Sequence, residues 1–237
     1  MQHTILRVGG RHTPTLRARR RCTYGGAVAT SPAPAPGERR GVRVADLPAG
    51  GTYPWLTATV VPRPIAWVST LDAEGVPNLA PHSFFTVASA EPPVVAFTSV
   101  GTKDTLRNIR ATGEFVVNLT PRRLADQVNV TGTNFPPGVD ELAAAGLTAQ
   151  PSDVVAPPRV AESPFAIECV TEGERTFGRS TMVFGRVVHL SVWSSVLAPD
   201  GLPDVRLLDP VSRLGREEWG AIGEVFSLVR PRYRSPD

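Results

Sequence analysis

The chain has 237 residues, 41% of them hydrophobic and 20% charged, with a formal net charge of +3. That length suits one domain or a large domain with appendages and is enough to bury a core without disulfides or a structural metal, while the composition excludes a disordered or fibrous chain. No apolar run approaches the roughly 20 residues that span a bilayer, and two cysteines far apart, Cys22 and Cys169, exclude a disulfide framework and a cysteine-rich zinc site and fit a reducing, cytoplasmic setting.

Residues 1–43 carry nine arginines and a single acid, Glu38, whereas the other 194 residues hold 16 basic and 21 acidic groups, so the body is mildly acidic and the high isoelectric point belongs to the tail. The Pro/Ala-rich stretch TSPAPAPGERRG has nothing to pack, and residues 1–43 read as a disordered basic N-terminal extension. The Arg19-Arg20-Arg21 run suits nucleic acid or anionic lipid in principle, but a solvated extension, or residues translated upstream of the true start, is the favoured reading, and the acidic body offers no matching basic surface. No apolar stretch follows the basic part as a secretory signal requires, and Gly and Pro interrupt the amphipathic helix of an import peptide.

The domain is expected over residues 44–237. Thr57–Leu71 is rich in Val, Ile, Thr and Trp and reads as a strand with Pro62 and Pro64 near its start. Asp72-Ala73-Glu74-Gly75 supplies a turn and Val76–Ala80 the return strand. Phe84–Ser89 and Val94–Ser99 read as two further strands around Glu91-Pro92-Pro93. Thr105–Gly113 predicts a short helix, with Thr102 or Asp104 as cap and Gly113 as stop. A buried strand at Phe115–Leu119 follows, then helices over Pro121–Val130 and Val139–Ala145, strands at Phe165–Cys169 and Thr181–Trp193, and a turn at Asp200-Gly201. A closing helix over Gly215–Val225 and a last strand at Phe226–Arg230 end the series. Short strands with inserted helices, and no alternating strand–helix series, predict a mainly β fold built on a small barrel.

Familiar catalytic signatures are missing. There is no GxGxxG after a strand, no GxxxxGK[ST], no HExxH and no GxSxG. The body's two histidines, His82 and His189, do not make a standard zinc site. These absences favour chemistry supplied by a bound cofactor.

Two segments are candidates for holding one. Lys103 is the sole lysine among 25 basic residues and lies in Gly101-Thr102-Lys103-Asp104-Thr105, before a predicted helix. Hydroxyls, an ammonium and helix N-terminal N–H groups suit a phosphate; a surface lysine beside a cap is the plainer alternative. The second segment is Asn78-Leu79-Ala80-Pro81-His82-Ser83-Phe84-Phe85, where small and polar residues between strands let backbone approach a planar ligand. Its plainer alternative is a strand corner, with a phenylalanine in the core and His82 packed.

VVPRPIAWVSTLDAEGVPNLAPHSFF, PPVVAFTSVGTKDTLRNIRATGEFVVNL, MVFGRVVHLSVWSSVL, LLDPVSRLGREEW and FSLVRP, in this order over roughly residues 53–232, resemble the flavin reductase-like, FMN-binding split-barrel family. The resemblance implies a six-stranded antiparallel split barrel, a homodimer with FMN near the subunit interface, and reduction of FMN by NADH or NADPH, often to supply reduced flavin to a partner monooxygenase. By position it implies that Ser69 and Thr70 lie near the flavin phosphate and ribityl chain. Asn78, Ala80, Pro81, His82, Ser83 and Phe84 would lie along the isoalloxazine. Thr98 and Ser99 would lead into the phosphate loop of Lys103, Asp104 and Thr105, and Arg213 would touch cofactor or interface. Two positions depart from the family. A Gly-Asp-His segment found in some members, its histidine near the nicotinamide, is here Gly178-Arg179-Ser180-Thr181, which bears on NAD(P)H handling; Trp219 stands where tyrosine is common. A non-reductase, flavoredoxin-like electron carrier, a reductase of another substrate with FMN bound throughout, and a nucleic-acid-associated protein acting through the basic tail are the alternatives.

Overall fold

The computed structural model describes Gly37, residues 39–136 and residues 138–232. The expectation for residues 1–43 falls almost wholly outside them, and the fold below belongs to the compact unit Val44–Asp237.

After a 3₁₀ turn at Val44–Asp46, the first α-helix corrects the sequence reading. Thr52–Thr59 is a helix, α1, not the start of a strand. Pro54 sits in its first turn, where its missing N–H is no loss. The hydroxyls of Thr57 and Thr59 donate back to the carbonyls of Tyr53 and Trp55 at 3.0 and 2.8 Å, which accommodates threonine in a helix. Val60 and Val61 then precede Pro62, where helical geometry is disfavoured.

The strands follow: β1 (Arg63–Pro64), β2 (Ala66–Leu71), β3 (Pro77–His82), β4 (Phe85–Ala90) and β5 (Pro93–Val100). Helix α2 (Asp104–Thr112) ends as expected at Gly113, whose φ of 78° is left-handed and whose N–H reaches the Ile109 carbonyl at 2.8 Å. Its N-cap is Lys103, with no side-chain cap, rather than Thr102 or Asp104. After β6 (Glu114–Asn118), a 3₁₀ turn at Arg122–Leu124 leads into α3 (Ala125–Val130), and α4 (Glu141–Ala144) is capped by Asp140. The short pair β7 (Ala149–Gln150) and β8 (Arg159–Val160) precedes the long hairpin β9 (Phe165–Phe177) and β10 (Ser180–Val192). β9 runs well past the expected end at Cys169. Its second half, Thr-Glu-Gly-Glu-Arg-Thr-Phe, is largely exposed, and pairing with β10 rather than burial holds it extended. Helix α5 (Val205–Leu208) and the strands β11 (Ser212–Arg213) and β12 (Trp219–Gly220) complete the described elements.

The helix expected over Gly215–Val225 does not form. Arg216 has a φ of 53°, the Leu214 N–H donates to the Glu218 carbonyl and the Glu218 N–H to the Gly215 carbonyl, both at 3.0 Å, across a turn that pairs β11 with β12. Residues 221–232 have no regular secondary structure and no strand partner among the described residues, so the strand expected at Phe226–Arg230 does not form.

The main sheet is wholly antiparallel, in the order β3-β2-β6-β9-β10-β5-β4. It has seven strands, not six; β1, β11 and β12 form a separate small sheet. The edge strands β3 and β4 are consecutive in sequence and joined only by Ser83-Phe84, so the sheet must curl until its edges meet. No ladder joins β3 to β4, so the barrel stays open along that seam.

Alternate residues of the chain entering β2 serve two cores. Ala66 and Val68 pack inside with Phe97, Leu106, Ile109, Phe115 and Val183, while Ile65 and Trp67 pack outside with Leu79, Leu124, Val128 and Leu142. Phe97 and Phe115 meet edge to face at 5.5 Å. Among the described residues no helix is long and apolar enough to cross a membrane.

Candidate functional site

At the seam, the end of β3, the end of β5, the start of α2 and the segment 131–135 enclose a cleft of about 390 Å³. That is within the size range of cofactor pockets. Ten of the positions implied by the resemblance line it: Asn78, Ala80, Pro81, His82, Ser83, Phe84, Thr98, Lys103, Asp104 and Thr105. They come together because β3 runs into the seam and α2 starts beside it.

One end is cationic and rich in donors. Ser99 Oγ donates to the Gly101 carbonyl at 2.9 Å, the Gly101 N–H donates to the Arg179 carbonyl at 2.8 Å, and Gly101 turns the chain with a φ of 81°. Lys103 then opens α2 without using its side chain as a cap, so the first N–H groups of the helix have no side-chain acceptor from it. Its ammonium donates to Asn134 Oδ1 at 3.2 Å. The Asp104 carboxylate, unfavourable to an anion, is paired with Arg107. Hydroxyls of Thr102 and Thr133 complete this end. The set suits a phosphate.

The floor is a connected polar network. Thr105 Oγ1 donates to Asn78 Oδ1 at 3.0 Å, and Asn78 Nδ2 donates to Glu141 Oε1 at 2.9 Å. The other Glu141 oxygen accepts the Leu79 N–H at 3.0 Å, so this buried carboxylate is held by two donors. His82 is buried, its ring 4.7 Å from that of Phe97 and its Nε2 3.5 Å from Thr105 Oγ1. Burial pushes the His82 pKa down to about 4, against the pull of the Thr98 carbonyl and with help from the Lys103 charge. At neutral pH the floor therefore carries no imidazolium.

The other end is apolar. Phe84 lies 6.4 Å from Tyr53 of α1, and the Arg63 guanidinium stands 5.9 Å from its ring. Arg63 also donates to the carbonyls of Val60 and Leu214 at 3.0 and 2.7 Å, which ties α1 and the β11–β12 turn to this wall.

Four implied positions do not line the cleft. Thr70 stands behind it, accepting from Asn108 Nδ2 at 3.0 Å and facing Asn78 Oδ1 at 3.4 Å. Ser69 is buried against the Pro158 carbonyl and Asn118. Ser99 acts through Gly101. Arg213 belongs to the small sheet, 4.9 Å over the Trp219 ring, donating to the Arg216 carbonyl. Sequence reasoning missed Tyr53, Arg107, Glu141 and the segment Thr131-Gly132-Thr133-Asn134-Phe135. A signal for the last existed: Gly132-Thr133-Asn134 repeats the Gly-Thr-polar pattern of Gly101-Thr102-Lys103. A Cβ on Gly132 would lie a tight 3.2 Å from the Asn129 carbonyl oxygen and in ordinary contact with Pro81 Cγ at 3.4 Å, so this segment lies against β3.

Away from the cleft, carboxylates of Asp153 and Glu168 converge on His189 Nδ1, a metal-like arrangement. Arg159 already bridges the same carboxylates, and Glu168 accepts three backbone N–H groups from Asp153, Val154 and Val155. The positive charge an ion would bring is thus supplied by the chain.

The family model for flavin reductase like domains matches residues 58–205. An uncharacterized protein of Halalkalibacterium halodurans is 43% identical over 191 residues, covering 76% of this chain and 90% of its own. Among solved structures, nitrilotriacetate monooxygenase component B from Bacillus cereus superposes with a TM-score of 0.77 at 31% identity, over 81% of this chain and all of that one. The 2-nitrobenzoate 2-nitroreductase of Pseudomonas fluorescens gives 0.77 at 29% identity, over 83% of this chain and 99% of its own.

Proposed function

The chain belongs to the family of flavin reductase-like domains, and from that membership we propose that it is an FMN-binding oxidoreductase that takes hydride from NADH or NADPH. The observation that carries this reading is the two-ended cleft. The chain's only lysine and the uncapped start of α2 stand at one end, and the strand corner Ala80–Phe84 at the other. Lys103, Thr102 and the first N–H groups of α2 would hold the FMN phosphate, the Thr105 hydroxyl being committed to Asn78. Asn78, Ala80, Pro81, His82, Ser83 and Phe84 would lie along the ring.

Bound FMN would supply the hydride-accepting chemistry; the chain supplies placement. Glu141 and Thr105 fix both ends of the Asn78 amide, so its remaining N–H is presented in one orientation. Neutral His82 adds no cation beneath the ring. Phe84 and Tyr53 supply apolar ring surface at the other end.

We take the protein to work as a homodimer in the cytoplasm, where reduced nicotinamides are present, and to pass reduced flavin to a flavin-dependent monooxygenase. The similarity to a monooxygenase component B supports this role without identifying the oxygenase. A second reading, a flavoredoxin-like electron carrier, is favoured by the hairpin tip Gly178-Arg179-Ser180-Thr181, which has no histidine for a nicotinamide.

The test is oxidation of NADH and of NADPH by purified protein with FMN titrated from zero. Turnover that rises and saturates with FMN supports the reductase. Protein that binds FMN but oxidises neither donor overturns it in favour of the carrier.

A further inference from the structure

Residues 221–232 form an arm. They leave β12 without regular secondary structure, and among the described residues no backbone hydrogen bond involves any of them. Phe226, Leu228 and Val229 are 72%, 85% and 95% exposed, in a stretch whose composition suits a strand. Open backbone groups beside apolar side chains are the features of a strand without its neighbour. Extended, this arm reaches about 40 Å, roughly the diameter of a body of about 190 residues.

The same chain carries an apolar trough. A hollow of about 260 Å³ is walled by Ile65, Phe85, Val117, Phe165, Ile167 and Leu208. It adjoins, at Pro64, Pro210 and Val211, a second hollow of about 530 Å³ whose far wall is the root of the arm, Ile222, Val225 and Phe226. The root therefore lies beside the trough while Leu228 and Val229 stand in water. Charge is complementary too. Asp200, Asp204 and Asp209 neighbour the trough residues Pro203, Leu208 and Pro210 in sequence, with Arg206, paired to Asp204 at 3.7 Å, the one base among them, and the far end of the arm carries Arg230 and Arg232. When an arm and an adjoining groove sit on one chain, a two-fold axis satisfies both copies at once and closes the assembly.

We propose that residues 221–232 of one copy lie in the trough lined by Ile65, Phe165 and Leu208 of a second copy, so that two chains exchange arms. This rests on the homodimer of the preceding section and assigns the segment that makes it. Leu228 and Val229 fill the trough, and Arg230 and Arg232 reach its acidic rim.

Sedimentation equilibrium on the full chain, on a chain ending at Gly220 and on Phe226→Asp/Leu228→Asp tests it, with circular dichroism reporting that each is folded. The full chain is expected at twice its 25.4 kDa mass, and both variants with dissociation constants raised at least a hundredfold. An unchanged constant removes the arm and leaves the dimer; a monomeric full chain removes both. Leu208→Cys/Leu228→Cys in a Cys22→Ser background, treated with a short bismaleimide, is expected to give covalent dimers. A link within single chains would mean that the arm folds back on its own trough and would overturn the exchange.

Discussion

Thr105 Oγ1 donates to Asn78 Oδ1 at 3.0 Å, joining the first turn of α2 to the strand that ends at the seam of the barrel. Through this bond, the donor-rich end of the cleft and its planar floor are set by one rigid contact rather than by a loop. Asn78 passes the constraint to Glu141 on α4, so three elements distant in sequence share one network.

The first consequence concerns Lys103. Its ammonium is exposed and bonded only to Asn134 among the described residues. Lys103→Ala is therefore expected to leave the fold unchanged. It removes a charge-assisted bond to the phosphate, and such bonds contribute about 1.5–3 kcal/mol. FMN affinity, followed by quenching of flavin fluorescence, should fall by about tenfold to a hundredfold, and the loss should shrink as salt is raised. Equal affinities for Lys103→Ala and the unaltered chain would place the phosphate elsewhere.

Glu141 gives a different signature. Truncation to alanine strands Asn78 Nδ2 and the Leu79 N–H in a buried setting, at about 1–3 kcal/mol for each group left unsatisfied. Glu141→Ala should lose stability in urea titrations and FMN affinity together, because the Asn78 amide is released. Glu141→Gln keeps one acceptor oxygen and should recover part of both. Full FMN affinity in a destabilised Glu141→Ala chain would show that Asn78 needs no support from α4 to meet the ring.

Much of this was legible in the sequence. Lys103 stands out as the only lysine, and Gly113 marks the end of α2 by the same left-handed turn that the structure shows. What was hidden depended on partners remote in sequence. The TATVV stretch reads as β because Thr and Val prefer strands, yet Thr57 and Thr59 bond back into α1 and Pro62 ends it. Glu141 reads as a surface residue of a short helix until Asn78 and Leu79 are brought to it. Residues 215–225 have helical composition, and only the left-handed Arg216 and the pairing of Arg213 with Trp219 exclude the helix.

Gly185 tests the packing that holds the seam in place. A Cβ there would sit 2.2 Å from Phe115 Cζ and 3.0 Å from Cys169 Cβ, inside the core between β6 and β9. Gly185→Ala should destabilise the protein by about 1–3 kcal/mol or more, the range for overpacked cores. Phe115→Leu in the same chain should restore part of the loss, because it removes the atoms in conflict. A Gly185→Ala midpoint in urea equal to that of the unaltered chain would mean that the sheet shifts freely at the bulge between Phe184 and Gly185.

The pH dependence of stability should carry the mark of His82. Its pKa is lowered from 6.5 to about 4 in the fold, chiefly because burial disfavours the imidazolium. Above pH 6.5 the imidazole is neutral in folded and unfolded chains, and the group contributes no pH dependence. Between 6.5 and about 4 the unfolded chain takes up a proton that the folded chain does not, so stability falls as pH falls. Across that window the loss amounts to roughly 3 kcal/mol, because one proton bound by the unfolded chain alone costs about 1.4 kcal/mol per pH step of one. Depressed carboxylates such as Glu168, held by three backbone N–H groups, lose their contribution only at lower pH, as they protonate, so the window from 6.5 to 5 isolates the histidine. Urea unfolding at pH 7.5 and pH 5 should show a difference that disappears in His82→Gln, and a slope that persists in that variant would assign the effect to another group.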